Sequence, residues 1–325
     1  MKKTIIISIL LCLLLSIIGC NPSEISTSSE QSTEQSIEIS QDESEESKEE
    51  STVEQEYIFE GTETFNNLTL ANGTNKMGDA DGPAYCVYSK KGYNKASMDI
   101  ELSKINLNIY REGGKHVNAY MFLGVDIYNG NYWVNCADAG LVYSGSNGWH
   151  IFYNMYSCEN PETTNTWYES RVTLSSRCDY RMTLDSSIDD GKATLTIYNL
   201  TTNKVADSVT FELQHAKKDG SNTSYLTDFA LDYPPNIKND TAGKPTDDWV
   251  EITLHNSDRG IYMKNIRVKN CKLYKGESEY DWTNEVTQNR GIWPDSSIKK
   301  IDYPCTIIRN ATENMEYIVD LDMNR

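Results

Sequence analysis

The stretch Ala119-Tyr120-Met121-Phe122-Leu123-Gly124-Val125-Asp126-Ile127 separates into two faces. Its odd positions are Ala119, Met121, Leu123, Val125 and Ile127; its even positions are Tyr120, Phe122, Gly124 and Asp126, and Tyr128 continues the second series. Side chains of a strand alternate across the sheet, so a period of two places one set in a core and leaves the other as an aromatic and polar surface. The same alternation sets Trp149, Ile151, Tyr153 and Met155 against His150, Phe152, Asn154 and Tyr156. It recurs in Tyr180-Met182-Leu184, Ala193-Leu195-Ile197, Val209-Phe211-Leu213 and Val250-Ile252-Leu254. Between these runs lie Asn129-Gly130, Asn147-Gly148 and Asp190-Gly191, dipeptides that tolerate the positive φ of hairpin turns. Residues 97–110 change phase, with Met98, Ile100 and Leu102 even but Ile105, Leu107 and Ile109 odd, so a bulge or sheet crossing is expected near Ser103 and Lys104. No stretch of a dozen residues in the body keeps a helical period. The expected class is all-β, an antiparallel sandwich of two large sheets.

Charge divides the chain further. The 325 residues carry a formal charge of −18, and residues 21–56 alone hold twelve acids against Lys48. That tract is Ser, Glu, Gln and Thr without an aromatic residue, too poor in apolar surface to offset the entropy of ordering it. It reads as an extended tether. From Tyr57 onward the chain has ample apolar and aromatic side chains for a large core, and 21 tyrosines and six tryptophans in all. The acidic balance argues against nucleic acid, which calls for clustered Lys and Arg.

The first twenty residues begin with Lys2 and Lys3, continue in the apolar run Ile5–Ile18, and end Leu15-Ser16-Ile17-Ile18-Gly19-Cys20. This is the pattern of an exported precursor, and the apolar run is short for a membrane helix. The segment resembles the lipobox of bacterial lipoproteins. The resemblance implies cleavage after residue 19, acyl chains (palmitate among them) on Cys20 and a cell-membrane, extracytoplasmic location at the bacterial surface; two or more chains are needed for stable anchoring. Removal of residues 1–19 takes two lysines and no acid, so the charge becomes −20. The expected organisation is a signal peptide at 1–19, a lipidated and disordered linker at 20–56, a sandwich domain at 57–275 and a C-terminal extension at 276–325 packing on the same domain.

The hairpin Asp190-Gly191-Lys192-Ala193-Thr194-Leu195-Thr196-Ile197-Tyr198-Asn199, the strand Tyr262-Met263-Lys264-Asn265-Ile266-Arg267-Val268 and the order of hairpins resemble the concanavalin A-like jelly roll of lectins, laminin-G-like modules and glucanases. The resemblance covers about residues 60–275. It implies a sheet that meets carbohydrate. Sugar recognition sets flat rings against the apolar faces of a pyranose and fixes its hydroxyls with amides and carboxylates. Candidate contacts are Tyr120, Asp126 and Tyr128 on one strand, Trp149, His150 and Asn154 on another, and Trp133, Trp167 and Arg181 along the rim. A second layer of core is the alternative reading of these aromatics.

Glycoside hydrolysis needs two carboxylates about 5–9 Å apart, and Asp99 and Glu101 share a strand face at about that spacing. The glucanases of this fold carry Glu-x-Asp-x-x-Glu, whereas Asp99-Ile100-Glu101 is followed by Leu102-Ser103-Lys104, so the third acid is missing. Gly78-Asp79-Ala80-Asp81-Gly82 is turn-prone and acidic, and jelly-roll sugar binders often hold structural calcium; an ordinary solvated turn is the other reading. No other cofactor is expected. Six cysteines remain beyond Cys12 and Cys20: Cys86, Cys136, Cys158, Cys178, Cys271 and Cys305. Three disulfides are possible, and Cys158–Cys178 is the first choice because a polar loop separates them; buried free thiols are the alternative. No Cys-x-x-Cys or cysteine–histidine spacing suits zinc. Three functions therefore compete: a tethered non-catalytic glycan-binding or adhesion module, a glycoside hydrolase or lyase, and a structural envelope protein that contacts another protein.

Overall fold

The computed structural model describes residues 56–57, 83–109, 117–145, 148–157, 166–232, 260–293, 305–312 and 314–322. Among the described residues two antiparallel sheets pack as a sandwich, which bears out the all-β class. Sheet A runs β1 (Glu56–Tyr57), β16 (Thr306–Arg309), β17 (Tyr317–Asp322), β13 (Tyr262–Lys275), β3 (Lys95–Ile100), β9 (Tyr180–Asp185), β10 (Lys192–Asn199) and β11 (Lys204–Glu212). The short strands β4 (Asn106–Asn108) and β14 (Ser278–Asp281) also pair with β13. Sheet B runs β15 (Thr287–Trp293), β2 (Ala84–Ser89), β12 (Thr223–Asp232), β5 (Asn118–Asn129), β6 (Tyr132–Tyr143), β7 (Trp149–Ser157) and β8 (Thr166–Glu169).

The alternation read from β5 is the alternation of burial. Met121, Leu123, Val125 and Ile127 face β3, β9 and β10 across the interface, where Met98, Ile100, Met182, Leu184, Leu195 and Ile197 complete one continuous core. Each such side chain withdrawn from water contributes roughly 1.5–3 kcal/mol. Gly191 takes a φ of +77 in the turn between β9 and β10, as the Asp190-Gly191 pair requires.

The phase change near Ser103 and Lys104 is neither of the two devices expected. A 3₁₀ turn at Leu102–Lys104 separates β3 from β4, and both strands stay on β13 in the same sheet. The bulges lie in the partner: the β13 register shifts between Met263 and Ile266 and again between Lys269 and Lys272. Asn265 and Asn270 occupy those places with φ of 60 and 50, a left-handed conformation that Asn tolerates better than most residues. The stretch 276–325 supplies β14, β15, β16 and β17, and so contributes to both sheets.

Cys86, Cys136, Cys178, Cys271 and Cys305 form no disulfide in the structure. The expected Cys158–Cys178 bridge is therefore not made here. Cys178 precedes β9, and Cys158 lies outside the described residues. Also outside them are Cys20, the tether as far as residue 55, the Gly78–Gly82 turn and the expected strand from Val250 to Leu254, whereas Glu56, expected as the last residue of the tether, opens β1. Among the described residues no helix is long and apolar enough to cross a membrane, and no group of three or more His, Cys, Asp or Glu is placed to hold a metal ion.

Candidate functional site

The candidate site is the outer face of sheet B, which the even-numbered residues of β5 and their neighbours build. Two cross-strand lines traverse it. The first reads Trp167, Asn154, Asp138, Gly124, Leu226 and Tyr88, from β8 to β2. The second, beside it, reads Glu169, Phe152, Gly140, Phe122, Asp228 and Cys86. Gly124 and Gly140 let cross-strand neighbours close over them: the Leu226 side chain lies over the first and Phe122 over the second. At Gly140 no side chain fits at all, because a Cβ there would lie 2.5 Å from the Phe122 Cβ and the Met121 carbonyl oxygen.

Aromatic side chains fill the two ends differently. Near β8, Trp167 is 46% exposed and stacks on Phe152 with ring centroids 5.2 Å apart and an interplanar angle of 23°; Tyr120 meets both rings edge-on. Phe152 itself is buried beneath, so it supports the open indole from below. Around it stand half-buried Asn154, Asp138 and Glu169, the last accepting a 2.6 Å hydrogen bond from the Ser144 hydroxyl. Asn118 donates through its side-chain amide to Tyr120 Oη at 2.7 Å, while its buried Oδ1 has no hydrogen-bond partner among the described residues.

A second cluster surrounds Asp126, which is 1% exposed. Trp133 Nε1 donates to its Oδ1 at 3.0 Å and Tyr128 Oη donates to its Oδ2 at 3.4 Å. Trp133 stacks on Tyr156 at 5.5 Å, and the Lys91 ammonium sits 3.8 Å from the Tyr128 ring centroid. Burial lifts the Asp126 carboxyl to about 7, against the pull of its two hydrogen bonds. Asp138 is its diagonal neighbour across the β5–β6 ladder, at roughly 7–8 Å between Cα atoms. It too is raised to about 7, by desolvation first and by the charge of Asp126 second.

The structure sorts the sequence candidates by sheet. Tyr120, Asp126, Tyr128, Trp133, His150, Asn154 and Trp167 share the outer face of sheet B, although Tyr128, Trp133 and His150 are buried in it. His150 Nδ1 donates to the Ser170 carbonyl at 3.0 Å. Two candidates need correction. Trp149 points the other way, into the core, where it meets Tyr143 edge-on, because it belongs to the inward-facing set of β7. Arg181 is on β9 of sheet A and not at the rim of this face; it binds Asp99 through two nitrogens at 2.6 and 2.8 Å.

Asp99 and Glu101 are likewise on sheet A, beside a depression of about 270 Å³ that Asp179, Thr201 and Lys269 help to line. Asp99 also accepts from the Asn270 amide, and Glu101 pairs with Lys269 at 2.5 Å and Arg267 at 3.9 Å. Both carboxylates are engaged by neighbouring cations, so this pair has the geometry of a surface ion network. Sequence reasoning missed Asp138, Glu169 and Asp228. The signal for the first was available in Ala137-Asp138-Ala139, a small–acid–small alternation.

No family model and no curated protein matches the chain. Solved structures resemble it at low identity. A Scytalido-glutamic peptidase with a peptide-based transition-state analogue is 10% identical over 75% of this chain and 100% of that one, with a TM-score of 0.41. SCP-B of the eqolisin family of peptidases, with the tripeptide Ala-Ile-His, gives the same identity, coverage and score. The PL-14 alginate lyase from Aplysia kurodai is 8% identical over 50% of this chain and 73% of that one, with a TM-score of 0.23. The neighbours are sandwich-type β proteins, and no residue role is carried over from them.

Proposed function

We propose that this chain is a membrane-anchored extracytoplasmic lipoprotein whose sandwich binds glycan through the outer face of sheet B. The observation that carries the reading is Trp167: an exposed indole, backed by stacked Phe152 and flanked by Tyr120, with Asn154, Asp138 and Glu169 within the same two cross-strand lines. An open ring held rigid from below offers an apolar surface to a pyranose at little ordering cost, and the adjacent amide and carboxylates supply acceptors for hydroxyls. What supports the anchor is the lipobox-like segment that ends at Cys20. A glycan array and polysaccharide pull-down with the wild type and Trp167→Ala test the binding. Retention lost in the variant supports the reading, and no ligand at millimolar concentration rejects it. Fractionation of cells carrying Cys20→Ser tests the anchor, and a variant that stays with the membrane rejects it.

One observation favours a catalytic reading beside this one. A half-buried carboxyl raised to about 7 is suited to proton transfer near neutral pH, and Asp138 has that character. Asp126 is a poor second catalyst, because both its oxygens are occupied and no solvent reaches it. A glycoside lyase or hydrolase on this face would therefore depend on Asp138. Release of reducing ends or unsaturated products from a glycan panel, lost in Asp138→Asn and kept in Glu101→Gln, would promote this reading above binding alone.

A further inference from the structure

The open part of this face is short. Trp167 on β8, Asn154 on β7 and Asp138 on β6 are direct neighbours across two ladders, so they span about 10 Å at the usual strand spacing of about 4.8 Å. That length suits two pyranose rings end to end. Beyond Asp138 the same line closes, because the Leu226 side chain lies over Gly124, and Leu226 and Tyr88 are 5% and 7% exposed. The line beside it closes sooner, since Phe152, Gly140 and Phe122 are buried. On the other side nothing described follows β8, which is the last strand of sheet B.

Within those 10 Å or so, hydrogen-bonding capacity is unspent. Among the described residues the Trp167 indole N–H, the Asn154 amide and the Asp138 carboxyl have no hydrogen-bond partner, although Asn154 and Asp138 are half-buried. Half-burial removes part of their hydration and no protein group replaces it; the hydroxyls of a ligand can.

We propose that the site takes the end of a glycan chain. The terminal residue lies over Asn154 and Asp138 against the Leu226 wall, the next residue stacks on Trp167, and the rest of the chain leaves past β8. An internal stretch would have to continue over Leu226 and Phe122, where the face is closed. The inference rests on the glycan-binding reading and adds which part of a glycan is recognised.

Calorimetry on the full chain tests it with cello-, chito- and malto-oligosaccharides of one to six residues. In a series that binds, the disaccharide is expected to bind about tenfold more tightly than the monosaccharide, the effect of one or two added hydrogen bonds. From two residues to six the affinity should change by less than about twofold, and a soluble polymer of the same sugar should hold one protein per chain. Asn154→Ala should cut the disaccharide's advantage to about threefold or less; a variant that only disturbed the fold would weaken both sugars and keep their ratio. Affinity that climbs about threefold or more with each residue beyond the second, several proteins on one polymer chain, or an unchanged ratio in Asn154→Ala overturns the inference. Where such binding is still lost in Trp167→Ala, the glycan reading stands and this one falls. Where no series binds, both fall.

Discussion

Replacing Asp126 by Asn should change how stability depends on pH, and the structure fixes the sign. The carboxyl is raised to about 7 in the folded chain, whereas an unfolded aspartate titrates near 3.9. Well below pH 3.9 both states hold the proton and the group costs nothing. As pH rises from there the unfolded state ionises first, so the folded state binds more protons and stability falls until the folded carboxyl also ionises near 7. The shift corresponds to about 4 kcal/mol in full, of which about 3 kcal/mol develops between roughly pH 4.5 and 7.5. Asn keeps an oxygen for the Trp133 indole N–H, and its amide can donate to Tyr128 Oη, so the local geometry survives without the ionisation. The groups that face this carboxyl are Tyr128 on its own strand, Trp133, Cys136 and Asp138 on β6, Ser224 and Asp228 on β12, and Tyr88 on β2; Asp138 titrates in the same range and with the same sign. Urea unfolding followed by tryptophan fluorescence, at several pH values for both proteins, reads the difference directly. The stability of Asp126→Asn relative to wild type should rise by about 3 kcal/mol over that interval. A difference that is flat within about 1 kcal/mol, or that runs the other way, refutes the claim that a buried carboxyl here is held protonated.

Trp167→Ala should leave folding nearly unchanged, since the ring is 46% exposed, but should weaken glycan binding by about tenfold from the loss of roughly 1 kcal/mol or more of ring contact, as titration calorimetry will show. Gly140→Ala should cost about 1–3 kcal/mol or prevent folding, because its methyl would meet the Met121 carbonyl oxygen and Phe122; circular dichroism on heating checks this. Alkylation of the native protein, read by mass spectrometry, should modify Cys178 well before Cys271. Hydrogen bonds led by that from Asn199 lower the pKa of the first thiol, and burial raises that of the second far above its usual value.

The strands were legible because each inward face is nearly free of polar side chains; β5, β7, β9 and β10 can be traced residue by residue from their alternation. What alternation cannot express is which sheet a strand joins. Asp99 and Arg181 read as separate features, a dyad and a rim contact, yet β3 and β9 are neighbours in sheet A and the two residues are partners across one rung. The pairing neutralises both earlier roles at once, since a carboxylate saturated by a guanidinium and an amide has no oxygen left for a substrate. Trp149 shows the complementary error. Its alternation already assigned it to the core, and chemical attraction to a tryptophan beside His150 drew it onto the wrong face.

Asp126 and Asp138 mark the deeper limit of the sequence. Eleven residues, a hairpin turn among them, separate the two, and each alone looks like an ordinary solvated acid on the polar side of a strand. Only the β5–β6 register sets them on a diagonal, and only the covering of Asp126 by Trp133 and Tyr128 removes the water that would keep it charged. Their raised protonation is thus a product of tertiary packing and not of local sequence. It makes a definite demand of the glycan reading: hydroxyls that donate to Asp138 favour its charged form, so a bound glycan should draw protons off this face. The proton released per ligand, obtained from calorimetry in buffers of different ionisation enthalpy near pH 7, should be measurably above zero for a bound oligosaccharide with the wild type and closer to zero with Asp138→Asn. Equal values for the two would mean that the carboxyls of sheet B do not touch what Trp167 holds.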